Sequence, residues 1–240
     1  MFRKKLKLLL IVAIIALSFS VWENINTAQT PIVQNNGPKK MIALTFDDGP
    51  YGVATDQILQ ILKEKKVVAT FFLIGRNVEK HPAQVKKIID FGNVVGNHSY
   101  SHSRELPTES IGLLQQDIAL AQALITDSSG GFAPHLFRAP YGAVSPQMTQ
   151  EIENEGYIFV KWDVDPRDWD NKNTTTNIID TILSKAKPND ILLFHDGHEE
   201  GSIYARENTT KALPIIIDAL RSQGYTFVTV DKIFHTNPYK

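Results

Sequence analysis

The chain has 240 residues, of which 42% are hydrophobic and 21% are charged, a balance typical of a folded globular protein. It has no cysteine, which excludes a disulfide-stabilised scaffold, a cysteine-ligated zinc site, an iron–sulfur cluster and a cysteine nucleophile. The formal net charge of −1 gives no sign of a protein that binds nucleic acid.

The amino terminus has the pattern of a secretory signal over residues 1–22. A basic start is followed by an apolar run over residues 8–22, which is short for a membrane-spanning helix of ~20 residues. No clean cleavage site follows, so the alternative is an uncleaved membrane anchor through that run. Either way we expect a bacterial protein that is secreted or held at the outer face of the cytoplasmic membrane, near the cell wall. Residues 23–38 are predicted to be a flexible linker, which leaves residues 39–240 as one domain.

From residue 39 onward, apolar segments rich in β-forming residues alternate with segments of helical periodicity. Seven such segments over this length predict an α/β fold built from parallel βαβ units. The predicted strands are Met41–Phe46, Val67–Ile74, Asn93–Gly96, Leu136–Arg138, Tyr157–Asp163, Ile191–His195 and Thr226–Val230. The predicted helices are Asp56–Lys65, Pro82–Phe91, Thr108–Ser129, one from Pro146, Thr176–Ala186 and Ala205–Gln223.

In closed barrels of this class the chemistry lies at the carboxyl ends of the strands. The first predicted strand ends in Asp47 and Asp48, and a turn explains only the second of these acids. The third strand is followed by His98 and His102, whose spacing would place both rings on one side of a helical turn. Two imidazoles and one carboxylate form a metal site that suits Zn²⁺, Co²⁺ or Fe²⁺ better than Mg²⁺.

Three further clusters follow the later strands. Arg138 follows the fourth strand, where it can fix a carboxylate and keep the pKa of that carboxyl low. His195 ends the sixth strand, in the position of a general acid. Three acids come at or after the end of the fifth strand, namely Asp163, Asp165 and Asp168. One of them can orient His195. The residues therefore predict a metal-dependent hydrolase in which a carboxylate takes a proton from water and a histidine protonates the leaving group.

Five motifs in this order resemble those of the polysaccharide deacetylases with the NodB homology domain, carbohydrate esterase family 4. They are Thr45–Pro50, His98–His102, Arg138–Tyr141, Asp165–Trp169 and Leu193–His195. In the third motif an alanine stands where the family usually has a proline. The resemblance spans roughly residues 39–232 and implies a deformed (β/α) barrel of about seven parallel strands.

The resemblance also implies roles for the proton-transfer residues. Asp47 would be the general base, oriented by Arg138. His195 would be the general acid, with Asp168 tuning its pKa.

For the metal and the substrate, the resemblance implies two further groups of residues. Asp48, His98 and His102 would hold the metal, with Zn²⁺ expected and Co²⁺ or another divalent transition metal as the alternative. The backbone N–H of Tyr141 would help to stabilise the oxyanion. The residues lining the pocket for the acetyl methyl group would be Trp169 and Leu193.

The implied reaction is hydrolysis of an N-acetyl group on a sugar, with release of acetate. The Asp-Asp-Gly-Pro sequence favours N-acetylglucosamine units over muramic acid, because relatives that act on muramic acid usually have asparagine in place of the second aspartate. Export favours peptidoglycan as the substrate, with chitin oligomers as the nearest alternative and acetylated xylan or another extracellular polymer as a weaker one. We expect a monomer, with groove loops at Gly130–His135 and Asp196–Arg206.

Three other classes of protein share part of the pattern. A non-haem iron oxygenase also uses two histidines and a carboxylate, but it would not need Arg138 or His195. A two-carboxylate glycosidase would not need the histidine pair. An inactive wall-binding module should have lost at least one of the motifs, and none is missing.

Overall fold

The computed structural model describes residues 40–197 and 206–240. The predicted signal and linker lie outside the described residues, as does most of the second predicted groove loop. In the part that the structure describes, no helix is both long enough and apolar enough to cross a membrane.

Seven strands in the described residues form one curled sheet, and every ladder between them is parallel, as predicted. Their spatial order is β5-β4-β3-β2-β1-β6, and β7 pairs with the amino-terminal half of β1. A parallel bridge between Val164 and Leu192 joins the segment after β5 to β6 and carries the sheet towards closure. The strands are β1 (Lys40–Asp47), β2 (Thr70–Leu73), β3 (Val94–Asn97), β4 (Leu136–Phe137), β5 (Ile158–Phe159), β6 (Ile191–His195) and β7 (Tyr225–Val228).

The helices lie between the strands, mostly near the predicted positions. They are α1 (Gly52–Lys65), α2 (Gly75–Lys80), α3 (Pro82–Asp90), α4 (Ile111–Ser129), α5 (Pro146–Asn154), α6 (Thr175–Lys185), α7 (Glu207–Ser222) and α8 (Val230–Phe234). Two short 3₁₀ turns, Leu106–Thr108 and Pro140–Gly142, accompany them. The short helices α2 and α8 were not predicted from the sequence. Val230 was predicted as a strand residue, but its N–H donates to the hydroxyl of Thr70 and it begins α8 instead.

The core lies between the sheet and the helices and fixes the position of β1. Phe46 stacks on Phe71 and Phe194, with ring centroids 5.0 and 5.8 Å away. Helix α1 buries Ile58 and Leu62 one turn apart against the same cluster. Each fully buried side chain of this size contributes about 1.5–3 kcal/mol of hydrophobic stabilisation. The polar residues at the end of β1 therefore extend from a rigid base.

The fifth strand is much shorter than the predicted Tyr157–Asp163. The backbone carbonyls of Val160 and Lys161 accept hydrogen bonds from the buried Arg138 side chain, at 3.4 and 3.2 Å. A neighbouring strand would otherwise use those carbonyls, so pairing ends at Phe159.

The first predicted groove loop, Gly130–His135, lies at the wrong end of the sheet. It precedes β4 and therefore reaches the amino-terminal edge. There the N–H of His135 donates to the carbonyl of Pro238, and Pro134 forms an antiparallel bridge with Tyr239. That loop packs on the carboxyl terminus of the chain and does not line the cavity at the carboxyl-terminal edge of the sheet.

Candidate active site

A cavity of about 500 Å³ opens at the carboxyl-terminal edge of the sheet. Strand register brings its parts together, because Asp47 at the end of β1 pairs with His195 at the end of β6. Two of the ten predicted site residues, Arg138 and Asp168, are buried behind the cavity wall. Eight of the ten predicted site residues line the cavity, namely Asp47, Asp48, His98, His102, Tyr141, Trp169, Leu193 and His195.

Asp48, His98 and His102 form a buried cluster that can hold a metal ion. One ligand atom from each lies within 4.8 Å of the others. The Asp48 Oδ1 atom is 3.2 Å from His102 Nε2 and 3.5 Å from His98 Nε2. A carboxylate with two imidazoles is a donor set that zinc and other divalent transition metals prefer.

The orientation of His98 supports this fit. Its Nδ1–H donates to the backbone carbonyl of Arg138 at 2.7 Å, so in the neutral ring the lone pair is on Nε2, which faces Asp48. Such a second hydrogen bond commonly fixes the tautomer of a metal-binding histidine. Burial raises the pKa of Asp48, but its contacts with His102 and His98 and its attraction to His195 outweigh burial and hold that pKa well below the ordinary range. Asp48 is therefore ionised, as a metal ligand must be.

The two histidines do not lie on a helical turn, so that part of the sequence interpretation was wrong. Residues 98–102 form an irregular loop in which Ser99 and His102 have φ values of 65° and 52°. The Asn97 side chain accepts a hydrogen bond from the N–H of Ser99, and the Ser99 hydroxyl accepts one from the N–H of His102. The Asp117 carboxylate accepts from the two intervening amides. These side-chain contacts bring the rings together, with centroids 5.0 Å apart.

Asp47 is held by Arg138, as the resemblance implied. The Arg138 Nη1 atom donates to Asp47 Oδ1 at 2.7 Å and to the hydroxyl of Thr45 at 2.9 Å. Its guanidinium also lies over the Phe72 ring, 4.0 Å from the centroid. The other carboxylate oxygen of Asp47, Oδ2, is 3.7 Å from His98 Nε2. One oxygen of Asp47 is therefore fixed by the arginine, while the other is next to the potential metal site.

Asp168 is the partner of His195 among the three acids that follow β5. Its Oδ1 atom accepts a hydrogen bond from His195 Nδ1 at 2.7 Å, and its Oδ2 atom accepts from the His195 amide and the Thr209 hydroxyl. Asp163 instead accepts from the amide of Ile191. Asp165 accepts from the amide two residues ahead and lines the cavity.

The pairing shifts the pKa of both residues. Burial alone would lower the pKa of His195, but attraction and hydrogen bonding to Asp168, with attraction to Asp48, raise it to about 9. Burial raises the pKa of Asp168, but attraction and hydrogen bonding to His195 outweigh it and leave that pKa below its ordinary value. His195 is therefore an imidazolium at neutral pH and can act as a proton donor.

Residues 34–160, more than half of the chain, match the sequence profile of the family described as "Polysaccharide deacetylase". The chain belongs to the polysaccharide deacetylase family. Peptidoglycan-N-acetylglucosamine deacetylase PgdA of Listeria monocytogenes is 36% identical over 209 residues, which are 87% of this chain and 42% of that protein. The chain thus spans less than half of the length of that relative.

Two further relatives are covered over most of their length. Chitooligosaccharide deacetylase of Azorhizobium caulinodans is 36% identical over 201 residues, covering 81% of this chain and 93% of that protein. The crystal structure of the Bc1960 peptidoglycan N-acetylglucosamine deacetylase superposes with a TM-score of 0.79 at 33% identity, covering 84% of this chain and 91% of that chain. The curled parallel sheet is therefore the fold of this family.

The structure adds cavity residues that the sequence analysis did not select. Arg206 precedes α7, and its Nη2 atom is 3.9 Å from Asp48 Oδ2 while its Nε donates to the carbonyl of Gly197. The sequence analysis included Arg206 only in a predicted helix and as the last residue of a predicted groove loop, and no local signal distinguishes its side chain from the other charged residues there. The other added lining residues are Arg104 and Trp162, and Asp165, which the sequence analysis considered only as a partner of His195, lines the cavity as well.

Asp196 is a fully buried acid that the sequence analysis included only as the first residue of a predicted groove loop. Its Oδ2 atom accepts a hydrogen bond from Thr55 at 2.6 Å, and burial raises its pKa to about 7. A Cβ atom at position 49 would lie 2.1 Å from that same oxygen, so only glycine fits there. The signal was present, because Asp196 directly follows the histidine at the end of β6.

Proposed function

We propose that this protein is a metal-dependent hydrolase that removes N-acetyl groups from N-acetylglucosamine units of a cell-wall polysaccharide, foremost peptidoglycan, and releases acetate. The observation that carries the proposal is the convergence of three groups on one cavity: the Asp48–His98–His102 cluster, the Asp47–Arg138 pair and the His195–Asp168 pair. Family membership and the relatives named above support the same reaction.

Asp48, His98 and His102 would hold the metal, with Zn²⁺ the expected ion and Co²⁺ or another divalent transition metal the alternative. A bound metal of this kind polarises the acetyl carbonyl and lowers the pKa of water. With only three protein ligands, the site would have room for water or substrate beside them, as catalytic metal sites require. The remaining chemistry belongs to side chains of the chain itself.

Asp47 is the general base in this proposal. Arg138 occupies its Oδ1 atom, which leaves Oδ2 to take the proton of the attacking water. The guanidinium fixes the direction of the carboxylate, so that the base does not have to be oriented during the reaction. The water oxygen then forms the new bond to the acetyl carbon.

His195 is the general acid. Its Nδ1 atom is held by Asp168, so its Nε2–H is the proton available to the leaving nitrogen. When the carbon–nitrogen bond breaks, this proton completes the free amine on the sugar, and the acetyl group leaves as acetate. Protonation by a positioned side chain of this kind typically contributes 10²–10⁴-fold to the rate.

Three residues are assigned to the acetyl group itself. Tyr141 has a φ of 58°, and its ring lies 4.6 Å from that of His102. We assign its backbone N–H to the oxyanion, where a preorganised donor is most effective. Trp169, which is 44% exposed, and the buried Leu193 form the walls around the methyl group.

The relatives support two substrates to different degrees. The Listeria protein and the Bc1960 structure are named as peptidoglycan N-acetylglucosamine deacetylases, which favours peptidoglycan. The Azorhizobium relative is named as a chitooligosaccharide deacetylase, so chitin oligomers are the second candidate. We further propose that residues 1–22 export the protein or anchor it at the membrane, that residues 23–38 are a linker, and that residues 39–240 act as a monomeric catalytic domain near the cell wall.

Mass spectrometry of the products tests the proposal. The full chain with Zn²⁺ is offered peptidoglycan glycan strands, chitin oligomers and acetylated xylan in separate reactions. The proposal predicts loss of one acetyl group per converted N-acetylglucosamine, appearance of a free amine and no change in muramic acid. Loss of acetyl groups only from xylan would contradict the N-deacetylase assignment, because those groups are esters. A protein that binds the glycan strands without altering them would be the inactive wall-binding module.

A further inference from the structure

Arg104 lies at the mouth of the cavity, two residues beyond His102. Its side chain is exposed, and the guanidinium carbon lies 3.6 Å from the centroid of the Tyr141 ring. The Tyr141 ring in turn contacts His102, so Arg104 is one aromatic ring away from the potential metal site. Among residues 40–197 and 206–240, no carboxylate forms an ion pair with it.

The other charged groups around the cavity already have protein partners. Arg138 is bound to Asp47, and His195 is bound to Asp168. Arg206 is buried, donates to a backbone carbonyl and faces Asp48. Within the described part of the chain, Arg104 is therefore the cation at the cavity that remains available to a ligand.

A second arginine in the same region, Arg167, differs from Arg104 in having a carboxylate partner among the described residues. Arg167 also stacks on an aromatic ring of the site, with its guanidinium carbon 5.0 Å from the Trp169 centroid. It has a carboxylate partner, because its Nη2 atom is 3.6 Å from Asp170 Oδ2. It does not line the cavity, whereas Asp165 from the same loop does. The mouth thus carries a positive charge on the Tyr141 side and a negative charge on the Trp169 side.

We propose that Arg104 is a substrate-binding residue that recognises a carboxylate on the glycan, next to the N-acetylglucosamine unit undergoing deacetylation. This inference rests on the proposed function and narrows its substrate to an acidic glycan. A guanidinium over an aromatic ring can still present N–H groups to a ligand, and a carboxylate can accept two of them. Asp165, which also lines the cavity, repels the same carboxylate and so favours one direction of the strand.

Peptidoglycan offers a carboxylate from two sources. One is the lactyl acid of the neighbouring muramic acid, and the other is an acidic residue of the peptide attached to it. Chitin oligomers have neither group. The inference therefore predicts that the enzyme prefers peptidoglycan strands to chitin of equal length, and that this preference depends on Arg104.

The test compares four tetrasaccharides with the full chain loaded with Zn²⁺. Three alternate N-acetylglucosamine with N-acetylmuramic acid and carry a free lactyl acid, a lactyl methylamide or a short acidic peptide, and the fourth is chitotetraose. Arg104→Gln should lower kcat/KM about tenfold or more on the acidic substrate it recognises, mainly through KM, and less than about twofold on chitotetraose. Arg104→Lys should recover part of the loss. Lys187→Gln, which removes an exposed charge before the amino end of β6, is the control and should change neither value.

The four substrates distinguish the two possible sources of the carboxylate, and they distinguish failure of this inference from failure of the proposed function. A loss on the free acid but not on the methylamide identifies the lactyl group, whereas a loss confined to the peptide-bearing strand identifies the peptide. An equal loss on all four substrates would mean that Arg104 only supports Tyr141 and would overturn the inference, as would no loss at all. Calorimetric binding of the same sugars tests Arg104 even if no acetate is released, which would by itself refute only the proposed function. In that case, equal affinity of the wild-type chain and Arg104→Gln for the acidic sugars overturns the inference.

Discussion

The two sides of the cavity bury their charges in different ways. On the β1–β3 side, Asp48, His98 and His102 bring three ligand atoms within 4.8 Å of one another. On the β6 side, His195 and Asp168 form a closed pair, and both oxygens of that carboxylate accept hydrogen bonds from the protein. The first side is an arrangement suited to a bound cation, and the second is complete without one. The difference indicates that metal should decide whether the first side functions, while pH should decide whether the second does.

The largest effect should follow from breaking the ligand cluster. Replacing His98 with alanine removes one of three ligands and should abolish stoichiometric metal binding, with acetate release falling about 10⁴-fold or more. His135→Ala is the control, because its ring lies at the opposite edge of the sheet, where Nδ1 is 2.8 Å from the carbonyl oxygen of Asn237. Metal content per chain, measured beside activity, checks this expectation. A His98→Ala protein that keeps one metal per chain would remove His98 from the ligand set.

Asp47→Asn should distinguish loss of the general base from loss of the metal, because Asp47 lies next to the metal ligands but is not one of them in this proposal. The amide cannot take a proton from water, so turnover should fall about a thousandfold, while metal binding stays near one per chain. Asp56→Asn, which removes an acid of α1 that pairs with Lys87 of α3, controls for the loss of a negative charge. Near-full activity of Asp47→Asn would show that another group is the base.

His195→Ala should have a smaller effect, of about a hundredfold on kcat with little change in KM. The His195 side chain is 12% exposed, whereas that of Asp47 is 5% exposed. Water can therefore reach the place of the missing imidazole more easily and act there as a weaker proton donor. Steady-state kinetics at several substrate concentrations gives both values. An unchanged kcat would move the acid to another residue.

Asp168→Asn should change the pH dependence on the β6 side alone. In the metal-free protein His195 has a pKa raised to about 9, so its charge stabilises the fold fully below about pH 6.5 and this contribution is lost as pH rises through 9. Asparagine removes the attraction that outweighs burial, so the pKa of His195 should fall. NMR titration of the imidazole in the metal-free chain measures it. A pKa that stays near 9 in Asp168→Asn would mean that Asp168 does not control His195.

The smallest change is expected from Thr209→Val, which keeps the shape and removes one hydrogen bond to Asp168. Unfolding by denaturant should show a loss of about 1 kcal/mol. The His195 pKa should move less than in Asp168→Asn, because the hydrogen bond between His195 Nδ1 and Asp168 Oδ1 remains. A larger shift than that of Asp168→Asn would contradict the view that Asp168 acts directly.

Sequence patterns were sufficient for the strands and for the candidate ligands. Continuous apolar runs predicted the buried parallel strands, and polar residues directly after them predicted which side chains meet at one edge. The sequence could not choose Asp168 from three acids, because the choice depends on register with a strand 27 residues further along the chain. It also gave the wrong local structure for His98 and His102, since a side chain from α4, Asp117, shapes that loop.

Arg104 and Arg206 illustrate the same limit. Each is an ordinary charged residue in the sequence, and only tertiary packing places one on Tyr141 and the other beside Asp48. Asp196 differs, since its position after β6 already marked it as unusual. Polar residues directly after a buried strand could be predicted as site residues, because parallel strands end at one edge, whereas Arg104 and Arg206 follow no strand directly and could not.

The most direct test of the central claim is acetate release by the full chain during a Zn²⁺ titration after chelation. Peptidoglycan strands and chitin oligomers are the substrates, and bound metal is measured in the same samples. The account predicts no release from the chelated protein and release that rises with bound zinc until one ion is held per chain. Full activity after chelation, or no acetate from either polymer with one zinc bound per chain, would contradict it.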